Sequence, residues 1–465
     1  MTATLPLALS DALRDWLDLG LRWLHVVAAM AWIGTSFYFV LLDQSLRPAK
    51  DPVDREAGVG GELWEVHGGG FYHVQKYVVA PRRLPEHLAW FKWEAYTTWL
   101  SGFGLMIVLY YLEASSTLVK PGSDLDPWVA VAISITLLAT AWVAYDVLNR
   151  LVSDVRVLWP VLFALMVVLY YFNASAYLID PSVADLTSWE AVGISIALLV
   201  AAWLVYDGLC RLLVERAALL WALILVLTTV AAWGCIQLFQ PRAAFLQVGA
   251  MLGTIMAGNV FFNIIPAHWE LINAKKAGRE PDPTPGIVAK QRSVHNNYFT
   301  LPVLFTMLSG HFAFVYGATR AWLVLILIML LGVLARVFFN LRHQGRTIWA
   351  IPALGAVGVL LLAWALEPDD AASGGDAATV AFAQVAPVIE QRCAPCHAQV
   401  PTEPGFSSPP AGMVFETPEQ IEARANDIKS VVSAKTMPLG NLTGMTSEER
   451  ALVVAWVTQG ANSGR

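Results

Sequence analysis

Long apolar runs, each about 20 residues, recur between Leu19 and Leu366 and constrain this chain more than any other feature. A run of that length matches the hydrocarbon layer a helix must cross. In lipid every backbone N–H and C=O has to be satisfied within the segment, which selects helices. Ten such spans are predicted, at roughly 19–42, 98–119, 127–149, 156–179, 188–211, 217–239, 243–266, 298–318, 321–341 and 347–366. Composition agrees: 57% of residues are hydrophobic and 14% charged, against roughly a quarter charged in soluble domains. The 19 Trp suit the headgroup belts of a bilayer. A net charge of −6 offers no basic face for nucleic acid.

The expected organisation is a membrane domain over 1–366, a small-residue linker over 367–379 and a separate domain over 380–465. An internal repeat lies inside the membrane part. LMIVLYYLEAS from Leu105 recurs as LMVVLYYFNAS from Leu165, and AWVAYDVLNRLV from Ala141 recurs as AWLVYDGLCRLL from Ala202. This reads as one duplicated helix pair. The segment before Leu19 lacks a basic start and a small-residue cleavage site, so the first span is expected to direct insertion itself. With ten spans, the N-terminal tail and the loops on its side carry only Arg14, Lys120, Arg242 and Arg320, and the opposite loops carry the bulk of the Lys and Arg. The positive-inside bias then places the long loops in the cytoplasm and both termini outside.

Cys210 and Cys235 lie in apolar runs and read as small hydrophobes. Cys393-Ala-Pro-Cys396-His397 is different. Two thiols at this spacing reach the two vinyl groups of one haem, and the adjacent His becomes its proximal ligand. The motif ends a helix-like stretch, and Met437 before Pro438 is the expected sixth ligand, with Met413 and Met445 as weaker candidates. A final amphipathic helix opens with a capping box at Thr446 and Glu449. The fold class expected is therefore all-α: a polytopic helix bundle followed by a small class I cytochrome c domain carrying covalent haem c. Haem c attachment outside the cytoplasm agrees with the charge-based topology.

Ionisable residues inside a span are costly and point to function. His25 and His311 fall at similar depth in the outer half of spans one and eight. They suit bis-His ligation of a b-type haem, and the alternative is that each bonds a helix carbonyl. Two polar clusters belong to the cytoplasmic side. The first is the loop after span one, with His67 and His73 around Gly68-Gly69-Gly70, then Lys76, His87 and Lys92 among aromatics. Successive glycines let backbone approach a ligand, and the flanking side chains suit a flat anion. The second is Gln291, Arg292, His295, Asn296, Asn297 and Tyr298, whose amides suit the lactam edges of a purine. An interfacial loop with satisfied histidines is the competing reading.

Taken together, RWLHVVAAMAWIGTSFYF, ELWEVHGGGFYHVQKY, PEHLAWFKWEAY, VGAMLGTIMAGNVFFNIIP, KQRSVHNNYFTLPVLF, FFNLRHQGR and the terminal CAPCH domain resemble the bacterial membrane-bound, cytochrome-c-linked urate oxidases. That resemblance implies oxidation of urate to 5-hydroxyisourate, with electrons passed through haem to a cytochrome c or the respiratory chain. A flat anionic substrate needs a cation, stacking surfaces and a base, and on this reading the catalytic role falls to His67, His73, Lys76, Lys92, Arg292, His295, Asn296 and Asn297. The family's membrane part usually has eight spans, so the repeated hairpin supplies the extra pair. The main rival is a quinol-oxidising b/c-type electron-transfer subunit, which needs no polar cytoplasmic pocket.

The topology is checked by reporter fusions. A fusion after Gly278 should behave as cytoplasmic and one after Asp185 as periplasmic; a swap of either would overturn the ten-span arrangement.

Overall fold

The computed structural model describes residues 11–120, 123–151, 216–318, 320–366, 379–403, 408–433 and 436–463. The expected spans 156–179 and 188–211 and Cys210 lie outside these residues. The chain is mainly helical. Helix α1 runs over Asp11–Ser45, α2 over Trp93–Met106, α3 over Pro127–Leu151 and α4 over Arg216–Leu238. They are followed by α5 (Pro241–Gly258), α6 (Ile265–Lys276), α7 (Thr284–Leu308), α8 (Ala321–His343) and α9 (Ala350–Ala365). Among the described residues five helical stretches are long and apolar enough to cross a membrane: 13–45, 127–150, 218–238, 241–276 and 321–343. The chain divides into two compact units, one of 1–139 with 231–465 and one of 140–230.

The remaining span expectations meet interruptions. The run at 98–119 is α2 continued by a π-helical turn, Ile107–Tyr111, and a short helix, Ala114–Thr117. The run at 298–318 is shifted: α7 begins at Thr284 and ends at Leu308, where a tight turn over Ser309–His311 takes over. Helix α9 holds 16 residues, short of about 20 for an untilted span. A second π-helical turn, Asn259–Ile264, links α5 to α6 just before Pro266. Proline lacks the N–H that a regular turn would use there, so the ladder widens ahead of it.

The all-α expectation is corrected at one place. Strands β1 (Val59–His67) and β2 (Gly70–Tyr77) form an antiparallel hairpin with His67 opposite Gly70. The segment is rich in Val, Trp, Phe and Tyr, the β-branched and aromatic residues that favour strands. Gly68 and Gly69 make the two-residue turn with φ of +59° and +82°. A turn with positive φ at both positions matches the strand twist, and glycine adopts it without steric cost. The glycines therefore close a hairpin; the expectation that they let backbone approach a ligand is replaced by this geometry.

Polarity is arranged inside out. Helix α9 buries none of its residues, and Trp349, Leu360 and Trp364 are exposed on it. Helix α1 likewise turns Trp16, Trp23 and Met30 outward. Arg336, Asn259, Asn297 and Asn340 are buried instead.

The residues after 379 build their own core. Helix α10 (Phe382–Arg392) and α12 (Ser447–Thr458) pack with α11 (Ala425–Ser433) around Val385, Ile389, Val453 and Trp456. Trp456 is 1% exposed. The capping box expected at Thr446 and Glu449 is present. Glu449 also accepts hydrogen bonds from Nε and Nη2 of Arg392 and so ties α12 to the end of α10. The Arg392 hydrogen bond, then the backbone N–H of Thr446, hold the Glu449 carboxyl below its usual range.

A carboxyl depressed in the folded state adds stability above its unfolded pKa and loses it as pH falls through the folded value. Glu449→Gln should therefore lower the melting temperature of these terminal residues near neutral pH, by the equivalent of about 1 kcal/mol. The difference from the parent should shrink in acid. A gap that stays constant down to low pH, in calorimetry of the full chain, would contradict this role.

Candidate functional site

The first expected cluster is held largely by its own neighbours. His73 lies flat on Trp64, with ring centroids 4.2 Å apart and planes 7° apart, and its Nε2 is 2.9 Å from Glu62 Oε2. Glu62 is held below its usual range by the Lys50 backbone N–H and then by His73. Lys76 pairs with Asp43 of α1, and Lys290 of α7 lies 3.9 Å from the same carboxylate. Asp43 thus joins the hairpin to the start of α7. Lys92 sits over the Trp90 ring at 5.1 Å and near Trp93 at 5.9 Å. His67 is exposed at the end of β1. The lysine and aromatics expected to receive a flat anion stack on each other.

The second cluster is brought together and buried. Arg292, His295, Asn296 and Asn297 are between 1% and 5% exposed on α7. Burial, then the charge of Arg292, lower the His295 pKa to about 4, which keeps its ring neutral. Asn296 accepts from Asn259 Nδ2 at 2.9 Å and donates to the Met256 carbonyl at 3.0 Å, tying α7 to α5 and to the π turn after it. Asn297 Oδ1 accepts from Arg336 Nε at 3.3 Å and from Asn340 Nδ2 at 3.2 Å. Arg336 Nη2 donates to Asn340 Oδ1 at 3.2 Å. The Arg336 guanidinium lies 3.8 Å from the centre of the Phe37 ring of α1.

Arg336, Asn340 and Asn259 are the residues that sequence reasoning missed. The signal for Arg336 was present, since it is an ionisable residue inside an apolar run, which rarely occurs without a function. Nothing in the spacing tells that it faces Asn297, 39 residues earlier.

His25 is half-buried against α2. Its Nδ1 lies 2.9 Å from the Thr98 carbonyl and 3.1 Å from Ser101 Oγ. A carbonyl only accepts, so Nδ1 carries the proton and Nε2 keeps its lone pair. A Cβ on Gly102 would fall 2.8 Å from His25 Cε1, so only glycine leaves this ring its place. The depth match expected between His25 and His311 rested on a helix running to residue 318. Because α7 stops at Leu308, His311 is exposed on the turn beyond it.

In the terminal residues, Cys393, Cys396 and His397 share one helical turn after α10. Cys393 is a free thiol whose pKa burial raises to about 12. His397 donates from Nδ1 to the Met413 carbonyl at 3.0 Å, leaving Nε2 with its lone pair. Met437 is half-buried, and its loop is anchored by Arg450, which donates to the carbonyls of Met437 at 2.6 Å and Val432 at 3.2 Å. Arg450 had no signature in the motif. Among the described residues no three His, Cys, Asp or Glu side chains gather to hold a metal ion by themselves.

A profile described as Urate oxidase N-terminal matches residues 11–164 and again 154–367. The two matches overlap at 154–164, between the two copies of the sequence repeat. No curated protein and no solved structure matches the chain.

Asn296→Leu removes an acceptor from Asn259 and a donor from the Met256 carbonyl. With a buried polar pair broken, the full chain in detergent should lose about 2 kcal/mol or more of stability. An unchanged melting temperature would show that this bridge between α5 and α7 carries no structure.

Proposed function

The chain belongs to the urate oxidase N-terminal family, and from that premise we propose that it is a multi-pass bacterial inner-membrane enzyme that oxidises urate to 5-hydroxyisourate and passes the electrons to cytochrome c rather than to oxygen. The observation that carries the reading is the fusion of this family domain to a terminal domain in which Cys393, Cys396 and His397 share one turn.

The residues present fit a haem c. Cys393 and Cys396 supply the thiols for two thioether bonds. The Met413 carbonyl fixes the His397 tautomer in which Nε2 would be free to hold the iron. Met437, on the loop that Arg450 anchors, would be the second protein ligand. A haem bound there accepts and releases one electron at a time. For a b-type haem the fit is partial: His25 has the tautomer and the space, whereas His311 stands on an exposed turn.

The reaction balances as urate plus water giving 5-hydroxyisourate, two protons and two electrons, with a new C–O bond at C5. Near neutral pH the substrate is a flat anion. In this reading the buried cluster on α7 binds it, and His295, neutral by burial, accepts a proton as water adds. The hairpin residues His67, His73, Lys76 and Lys92 form the rim through which urate enters.

The two ends of the bundle support this division of labour. Asp43, Lys76 and Lys290 meet at the end of α1 that the charge count assigns to the cytoplasm. Arg14 pairs with Glu113 at the other end, and there the turns Leu439–Asn441 and α11 approach Ala114–Thr117 and Ala313–Tyr316. At about 1.5 Å per residue, the 35 residues of α1 separate these ends by roughly 50 Å.

Washed membranes carrying the chain should show reduction of a c-type haem on addition of urate. Cys393→Ser with Cys396→Ser should remove both the covalent haem and urate-dependent electron transfer to added cytochrome c. Reduction by a quinol but not by urate would instead select the b/c-type electron-transfer reading.

A further inference from the structure

Arg336 is 4% exposed, and among the described residues no carboxylate pairs with it; its partners are two amide oxygens and the face of Phe37. A guanidinium carries five N–H donors, and hydrogen bonds to described residues use the Nε–H and one on Nη2. A buried cation without an opposite charge costs several kcal/mol, of which an aromatic face returns only part.

Asn297 adds a second unmet demand. It is 1% exposed, and its Oδ1 accepts from both Arg336 and Asn340, which fixes which end of the amide is oxygen. Its Nδ2 therefore points away from those donors, and among the described residues it has no acceptor. A buried donor left without an acceptor is destabilising, because the water it gave up is not replaced. Arg336 and Asn297 thus hold a spare positive charge and a spare N–H donor side by side, fixed by α1, α7 and α8. The ligand that satisfies both is a small anion rich in acceptors.

We propose that Arg336 is the anion-anchoring residue of the urate site, and that Asn297 Nδ2 donates to a neighbouring carbonyl oxygen of the same ring. This rests on the urate reading above and extends the site from the buried cluster on α7 to the buried face of α8. Urate offers carbonyl oxygens beside deprotonated ring nitrogen, and the planar fork of a guanidinium fits such an edge in two parallel hydrogen bonds. Asn340 is a positioning residue: it holds Arg336 and shares Asn297 Oδ1, so the fork keeps one orientation.

The test is equilibrium binding of radiolabelled urate to the full chain in detergent, chemically reduced and without oxygen so that no turnover occurs. The parent should bind saturably. Arg336→Gln should weaken binding roughly 30-fold or more, as loss of one partner of a buried charge contact does. Asn297→Asp places a carboxylate against the guanidinium and should weaken it as much. Arg336→Lys keeps the charge without the fork and should give a smaller, still measurable loss. Melting curves report folding, and the Lys variant decides the matter if the other two do not fold. Wild-type affinity in folded Gln and Asp variants, or in the Lys variant where those do not fold, would overturn the assignment and leave the urate reading standing. No saturable urate binding by the parent would overturn both. Short-chain phosphatidylglycerol is the control for a lipid headgroup: if its binding depends on Arg336 and that of urate does not, the cation serves lipid and the proposal is wrong.

Discussion

Polar groups buried among apolar helices must find partners, and that constraint organises this molecule. The helices turn Trp, Leu and Met outward, so the interior is where Arg336, Asn259, Asn296, Asn297 and Asn340 sit. Each amide there links elements far apart in sequence: Asn296 joins α7 to the end of α5, and Asn297 joins α7 to α8. Without water to replace a lost partner, such bonds fix helix register more sharply than apolar contact does. The π turn at Asn259–Ile264 belongs to the same device, since it carries Asn259 toward Asn296.

The hairpin is the second device. Its turn is set by two glycines with positive φ, and its attachment by the carboxylate of Asp43, shared between Lys76 and Lys290. Tyr38 of α1 donates to Glu65 of β1 at 2.6 Å, one residue from the Phe37 that faces Arg336. The hairpin and the buried amide network thus share one stretch of α1. In the proposed function this makes the hairpin an entrance, and the chemistry belongs to the buried cluster beneath it.

The terminal residues follow a different logic. Their core of Val385, Ile389, Val453 and Trp456 is closed by apolar burial, and its corners are pinned by two arginines. Arg392 binds Glu449 and the Thr443 carbonyl, and Arg450 holds the Met437 loop. A proposed haem ligand on a loop needs such anchoring, because a long loop alone does not hold a sulfur in place.

Periodic and local features were legible in the sequence. The long apolar runs over 19–42, 127–149, 217–239, 243–266 and 321–341 coincide with helical stretches, two of them longer than expected at 13–45 and 241–276, because apolar length is a property of consecutive residues. The capping box at Thr446 was legible for the same reason. The repeat was visible as text, and the two overlapping family matches meet inside it. Tertiary structure alone decided the rest. Gly68 and Gly69 are compatible with a ligand loop or a turn, and cross-strand pairing selects the turn. The alignment of His25 with His311 depended on where α7 ends, and that end is set at Ser309 by contacts beyond the helix. Arg336 was readable as an ionisable residue in a span, but its partners come from α1 and α7. Residue identity states which polar groups must be satisfied; only the packing of distant helices determines which group satisfies which.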